Sequence, residues 1–228
     1  MTDYFVVCHD QELTGRVLAD PVMKRLERLK VLFVGGRPYD GRYGDKVIVC
    51  RDLRHNIEHM PKLVAYTGWH AIVKNGLSTA ENICVLEYDI ELTSRFDQSV
   101  NIGLDNADAL GFVNTPINSR LFLEVIPEFK KYINAKYRCD IQTEISKASP
   151  THSQYWPSTS NLAMKRDFLY GFVNWYDSII PAIADMETMP FVHERAIVIY
   201  AKIVKASIGI NPNILSHMMQ RSHGNTHD

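Results

Sequence analysis

The segment Ile83-Cys84-Val85-Leu86-Glu87-Tyr88-Asp89-Ile90-Glu91 carries three carboxylates at alternate positions behind an unbroken apolar run. Side chains on a β-strand repeat every two residues, so Glu87, Asp89 and Glu91 share one side while the strand stays regular. Acids gathered at the end of a buried strand repel one another and lose hydration. A hard divalent cation, Mn2+ or Mg2+, offsets both costs because it takes oxygen ligands and bridges to phosphates. The plainer alternative is an acidic strand end running into solvent. The apolar lead-in, typical of a strand buried on both faces, favours the cation.

Such a cluster needs a sheet to hold it, and the first half alternates short apolar runs with longer helical patterns, as a helix-covered sheet does. Strands are expected at Tyr4–His9, Val31–Val34, Lys46–Cys50, Asn82–Leu92 and Ala109–Val113. Helices are expected at Pro21–Lys30, Pro61–Gly76 and Leu121–Ala135, two of them opened by proline. Gly35-Gly36-Arg37-Pro38 marks a loop after the second strand. In the second half the Ser/Thr/Pro-rich stretch Lys147–Asn161 reads as a functional loop leading to a short strand at Asn161–Met164. Helices then follow at Arg166–Ala184, interrupted near Pro181, and at Glu194–Ile208, which is apolar nearly all round and so expected to be buried. Ser222–Asp228 is a polar tail.

Composition narrows the function classes. The 228 residues suit one large domain, here read as two halves at 1–115 and 116–228. Lys and Arg total 25 against 26 for Asp and Glu, so no basic surplus points to nucleic acid. Cys8, Cys50, Cys84 and Cys139 lie far apart without a Cys-x-x-Cys pair and read as small buried thiols in a reducing compartment. No stretch approaches the ~20 apolar residues that span a bilayer. The Met-Thr-Asp-Tyr start lacks the basic and apolar regions of a signal peptide, and the expected location is cytoplasmic. Neither G-x-G-x-x-G nor a Walker A sequence is present, which argues against dinucleotide and P-loop sites.

Val85-Leu86-Glu87-Tyr88-Asp89 resembles the acid-x-acid motif of GT-A fold glycosyltransferases, with Glu87 in place of the usual first Asp. The order of elements is similar too: a strand near the N-terminus, a helix directly before the motif strand, and a second half on the acceptor side. The resemblance implies a GT-A-like central mixed sheet flanked by helices on both faces, with a helical C-terminal part. It further implies a metal, Mn2+ or Mg2+, held by Glu87 and Asp89 against the diphosphate of a UDP- or GDP-sugar. A glycan acceptor and a place in polysaccharide assembly belong to the same expectation.

Other residues are carried over by position. Inverting members use an acid at the start of a late helix as base, and Glu194 in Phe191-Val192-His193-Glu194-Arg195 matches. A carboxylate beside a hydroxyl takes its proton during attack, although an acid in a first turn also complements the helix dipole. Asp185 and Glu187 are fallback bases. A C-terminal histidine contacting metal or phosphate is expected at His223, whose neighbour Gly224 lets the backbone approach a ligand, with His217 the other candidate. His9 and Asp10 after the first strand, and Arg51 and Asp52 after the third, are the expected neighbours of base and ribose. Arg37 can reach a phosphate bidentately. The loop Trp156-Pro157-Ser158-Thr159-Ser160-Asn161 offers an aromatic ring, hydroxyls and an amide to a sugar; an ordinary loop capped by a buried tryptophan is the alternative.

Two other functions compete. A sugar-phosphate nucleotidyltransferase would carry a Gly-rich, basic signature after the first strand, where this chain has His9-Asp10-Gln11-Glu12. A non-catalytic GT-A-like binding protein would keep the sheet and lose turnover.

Overall fold

The computed structural model describes residues 1–117, 122–147 and 155–217. The chain begins with β1 (Thr2–Cys8), buried along its whole length, followed by α1 (Gln11–Ala19). Asp10 starts α1 by accepting hydrogen bonds from the Glu12 and Leu13 amides, satisfying donors that have no partner in a first turn. The helix expected at Pro21–Lys30 is instead a 3₁₀ turn at Met23–Arg25 leading into β2 (Leu29–Phe33). The Asp20 side chain accepts from the Val22 and Met23 amides and holds this connection tight. β3 (Val47–Val49) follows, then a 3₁₀ turn at Pro61–Leu63 and α2 (Tyr66–Lys74).

The motif strand ends sooner than expected. β4 (Asn82–Glu87) gives way to a turn at Tyr88-Asp89, and the chain leaves the sheet as β5 (Ile90–Leu92). The two-residue periodicity therefore stops at Glu87. Asp89 is buried in the turn, whereas Glu91 is exposed on β5 and separate from the other two acids. An unforeseen α3 (Phe96–Asp105) buries Phe96, Val100 and Leu104 at four-residue spacing. β6 (Ala109–Gly111) and β7 (Thr115–Pro116) precede α4 (Pro127–Tyr137), whose proline occupies the first turn, and α5 (Ile141–Ser146).

The remaining elements are β8 (Tyr155–Trp156), β9 (Leu162–Lys165), α6 (Arg166–Asp177), α7 (Ile180–Ile183) and α8 (Val192–Val204). The expected interruption near Pro181 separates α6 from α7. Lys205 takes the left-handed conformation that ends α8, so Ile208, expected to close that helix, instead opens β10 (Ile208–Ile210). β11 (Leu215–His217) pairs antiparallel with β5.

Seven strands form one mixed sheet in the order β10-β6-β9-β4-β1-β2-β3. β1 pairs parallel with both β2 and β4, while β9 runs antiparallel to its neighbours β4 and β6. Alternate residues feed two cores. Phe5, Val7, Ile83 and Val85 pack with α2, α6 and α8 on one face; Tyr4, Val6, Cys84 and Leu86 pack with α1 and α3 on the other. α2 lies close against β1, since a Cβ at Gly68 would come within 2.6 Å of Val7 Cγ2. The second half of the chain, through β9 and β10, completes the same sheet. Among the described residues no helix is long and apolar enough to cross a membrane.

Candidate active site

The carboxyl ends of β2, β1 and β4 lie side by side, and a cavity of about 380 Å³ opens there. In open α/β sheets ligands bind outside such strand ends. Val7, Cys8 and His9 line it from β1; Val34, Gly35 and Gly36 from the turn after β2; Glu87, Tyr88 and Asp89 from the end of β4. The wall opposite comes from the segment before α2, with Glu58, Met60, Pro61, Val64 and Ala65. His9 and Tyr88 pack edge to face across the mouth of β1 and β4, centroids 5.1 Å apart. Val64 holds φ 43° and ψ −120° at this wall, a conformation that a β-branched residue adopts only where its surroundings impose it.

Two acids meet at the end of β4. Burial, reinforced by Asp89 and Glu194 nearby and opposed by a hydrogen bond from Asn161, pushes the Glu87 carboxyl up to about 8. Asp89 is 7% exposed, and its Oδ1 is shut from solvent with no hydrogen-bond partner among the described residues. A buried carboxylate oxygen without a donor is costly, so this atom is missing a partner. The donor set is hard oxygen, which suits Mg2+ or Mn2+. Among the described residues no third Asp, Glu, His or Cys joins them in a cation-holding group. Two carboxylates therefore fit a hard divalent cation whose remaining ligands would come from outside this pair. The backbone of β11 places His217 opposite Ile90, the residue after Asp89. His223 lies outside the described residues.

A buried polar chain ties this acid pair to the start of α8. The Glu87 amide donates to Asn161 Oδ1 at 2.6 Å, and Asn161 Nδ2 donates to Glu87 Oε2 at 3.2 Å and Thr159 Oγ1 at 3.3 Å. Ser160 Oγ lies 2.8 Å from His193 Nε2 and donates to Glu194 Oε1 at 3.4 Å. Burial pushes the Glu194 carboxyl up to about 7, against the pull of Arg195 and Ser160. The Arg195 guanidinium lies 3.4 Å from Glu194 Oε2 and 4.6 Å above the Trp156 ring. Burial, with Arg195 beside it, drives His193 down to about 3, so it stays neutral. No sequence motif marks His193 or Arg195, yet both belong to this geometry.

The other expected site residues are dispersed. Asp10 caps α1 and accepts from Arg37 Nη1 at 2.7 Å, so these two residues bind each other. The Leu13 and Glu12 amides together with Arg37 hold the Asp10 carboxyl below its ordinary value. Each is the direct chain neighbour of a cavity residue, His9 or Gly36. Asp52 is exposed at the end of a 3₁₀ turn and does not line the cavity. Trp156, Ser160 and Asn161 are buried to 1%, 2% and 0% exposure, their polar atoms turned to protein neighbours where these are paired. Ser158 and Thr159 are half-buried, with Ser158 Oγ accepting from Thr115 Oγ1 at 2.7 Å. Glu58 has no sequence signal: it sits in a turn-rich stretch without periodicity, and only tertiary folding brings it to the cavity.

No family model matches the sequence, and no curated protein matches it. The fold has known counterparts. The chain superimposes on the apo structure of WbbM, a bifunctional glycosyltransferase, with a TM-score of 0.59 at 12% identity. That match covers 95% of this chain and 45% of the other, so the chain spans under half the length of WbbM. Glucosyl-3-phosphoglycerate synthase from Mycobacterium tuberculosis, in complex with Mn2+, UDP and phosphoglyceric acid, matches at 11% identity over 95% of this chain and 70% of that one, with a TM-score of 0.45. The galactosyltransferase LgtC, with donor and acceptor sugar analogues, matches at 10% identity over 92% and 73% of the two chains, with a TM-score of 0.45. The chain therefore has the GT-A-like glycosyltransferase fold, a mixed central sheet with helices on both faces.

Proposed function

We propose that the protein is a glycosyltransferase that moves a sugar from a nucleoside-diphosphate sugar, with UDP or GDP as the nucleotide, to a hydroxyl of a glycan acceptor. One observation carries this reading: the cavity across the ends of β2, β1 and β4 places Glu87 and Asp89 at one side, with Glu194 joined to them through Asn161 and Ser160. His9 and the Gly35-Gly36 turn border the nucleotide. Asp10 and Arg37 support that turn as a pair, and Arg37 can trade Asp10 for a phosphate. Asp52 has no part in this arrangement. The half at 116–228 supplies the acceptor side.

Asp89, with Glu87 beside it, would hold Mn2+ or Mg2+, whose positive charge offsets the charge that builds on the departing diphosphate. A C-terminal histidine, His223 or His217, would add a contact to the metal or to a phosphate. Glu194 takes the proton of the acceptor hydroxyl while that oxygen forms a bond to the anomeric carbon. The bond from that carbon to the diphosphate oxygen breaks, its electron pair leaves with the nucleoside diphosphate, and the configuration inverts. Trp156, Ser158, Thr159, Ser160 and Asn161 act as the frame that holds Glu87 and Glu194 in register, more than as sugar ligands.

The test measures release of UDP or GDP from the corresponding sugar nucleotides with and without Mn2+, for the wild type, Asp89→Ala and Glu194→Ala. Turnover that needs both residues and the metal supports the scheme. Turnover unchanged in Asp89→Ala removes the metal role, and pyrophosphate release from a nucleoside triphosphate points to a nucleotidyltransferase instead.

A further inference from the structure

The reading above leaves Glu58 unused, although it lines the cavity. Its Oε2 accepts a hydrogen bond from the Gly35 amide at 2.7 Å, which fixes the carboxylate to the turn after β2. Gly35 holds φ +85°, the left-handed region where glycine is at ease, and this turn presents its amide to Glu58. Oε1 is shut from solvent and has no hydrogen-bond partner among the described residues. Each carboxylate oxygen can accept two hydrogen bonds, so the group keeps acceptor capacity. Burial raises the Glu58 carboxyl, while the Gly35 hydrogen bond and Arg51 oppose the rise.

Position in the sheet says which part of a ligand meets Glu58. It is bonded to the end of β2; the acids Glu87 and Asp89 stand at the end of β4; β1 lies between. Two strand spacings separate the two stations, roughly 10 Å. That is comparable to the reach from a nucleobase to the second phosphate of a nucleoside diphosphate. With the diphosphate beside Asp89, the base falls beside Glu58. Its surroundings agree, because Val34, Met60, Pro61 and Ala65 offer apolar surface to the faces of a flat ring and little to a ribose.

We propose that Glu58 reads the nucleobase by accepting a hydrogen bond from its ring N–H, so that the site takes uracil or guanine and rejects cytosine or adenine. This rests on the glycosyltransferase reading of the cavity. Uracil carries a hydrogen on N3 and guanine on N1, whereas the same ring positions in cytosine and adenine are lone pairs. A carboxylate attracts the first pair and repels the second.

The experiment is calorimetric titration of the full chain with UDP, CDP, GDP and ADP, each with Mn2+, for the wild type and Glu58→Gln, with 2′-deoxy-UDP as a fifth probe. Comparison within each ring class removes size effects. The wild type is expected to bind UDP at least tenfold more tightly than CDP, about 1.4 kcal/mol, and to prefer GDP to ADP in the same sense. In Glu58→Gln the preference should fall to within about threefold, because an amide can turn its NH2 toward a lone pair while its oxygen still accepts from Gly35. Equal affinity for UDP and CDP in the wild type overturns the proposal while leaving the nucleotide site in place. So does a preference that survives Glu58→Gln. A penalty for 2′-deoxy-UDP that disappears in Glu58→Gln would move the carboxylate to the ribose. Failure of all five nucleotides to bind sinks the glycosyltransferase reading itself.

Discussion

Replacing Glu87 with Gln should make the protein more stable at neutral and alkaline pH while weakening its hold on a cation. Glu87 is half-buried beside Asp89 and Glu194, and its carboxyl sits at about 8 against an ordinary 4.5. The folded state thus holds the proton more tightly than the unfolded chain does. Stability from this group is fully present below pH about 4.5, declines as the unfolded chain ionises, and stops declining above about 8. At about 1.36 kcal/mol per pH unit, the interval from 4.5 to 7 amounts to about 3 kcal/mol at most. Relaxation and water entry reduce this, and about 1–3 kcal/mol is the expected gain for Glu87→Gln at pH 7. Gln keeps the carbonyl that accepts from Asn161 Nδ2, so that bond is retained. For a chain of this size 1 kcal/mol corresponds to about 2–4 °C, which puts the expected rise in Tm at about 2–12 °C. The assay is thermal unfolding of both proteins from pH 4.5 to 9 without metal. The gain should vanish near pH 4.5 and level off above 8. A variant no more stable than the wild type at pH 8, or equally more stable at pH 4.5, would refute the argument that these acids are held together against repulsion.

Glu194→Gln should lower transferase turnover about 10²–10⁴-fold without unfolding the protein, since burial already holds the Glu194 carboxyl at about 7, well above an ordinary carboxylate, and a neutral amide replaces a group that is largely neutral below that pH. In the wild type, turnover should rise with pH through about 7, where the Glu194 carboxyl loses its proton, and a rate that falls over pH 6–8 would exclude it as the base. Asn161→Ala removes the acceptor of the Glu87 amide and the donor to its carboxylate, and should cost about 2–3 kcal/mol, read from the denaturation midpoint. Val64→Gly relieves a backbone conformation unsuited to a β-branched side chain that is 53% exposed; a gain of about 1 kcal/mol in thermal unfolding is expected, and a loss would show that the valine is not strained.

The sheet is legible in the sequence because its strands are short apolar runs with a two-residue period. Phe5 and Val7 against Tyr4 and Val6 serve two different cores, and that division needs helices on both faces. α1 escapes a sequence reading although Asp10 and Glu12 mark its start: its apolar stripe is thin, and only Thr14 and Val17 are buried. Pro21–Lys30 looks helical because Met23, Leu26 and Leu29 fall at three-residue spacing, yet Asp20 caps a single turn there and Leu29 already belongs to β2. β10 and β11 are hidden for a different reason. Each has three residues and is defined by its partner, β6 or β5, so no local pattern announces it.

The proposed site divides along the same line. Glu87, Asp89 and Glu194 can be read from sequence because each adjoins a strong local element, a buried strand or a buried helix. Glu58, His193 and Arg195 cannot, since their importance comes from pairings across 23, 33 and 39 positions, with Gly35, Ser160 and Trp156 respectively. The loop at 156–161 shows how the two kinds of information combine. Its hydroxyls, amide and indole suggest sugar recognition, but β9 pairs beside β4 and draws Ser160 and Asn161 into the interior. There they bridge two carboxylates that would otherwise repel one another without a fixed separation. A protein that needed only a stable sheet would place apolar residues at those positions. Keeping two partly buried acids in register, at a cost to stability, is what the proposed site for a diphosphate and an incoming hydroxyl would require.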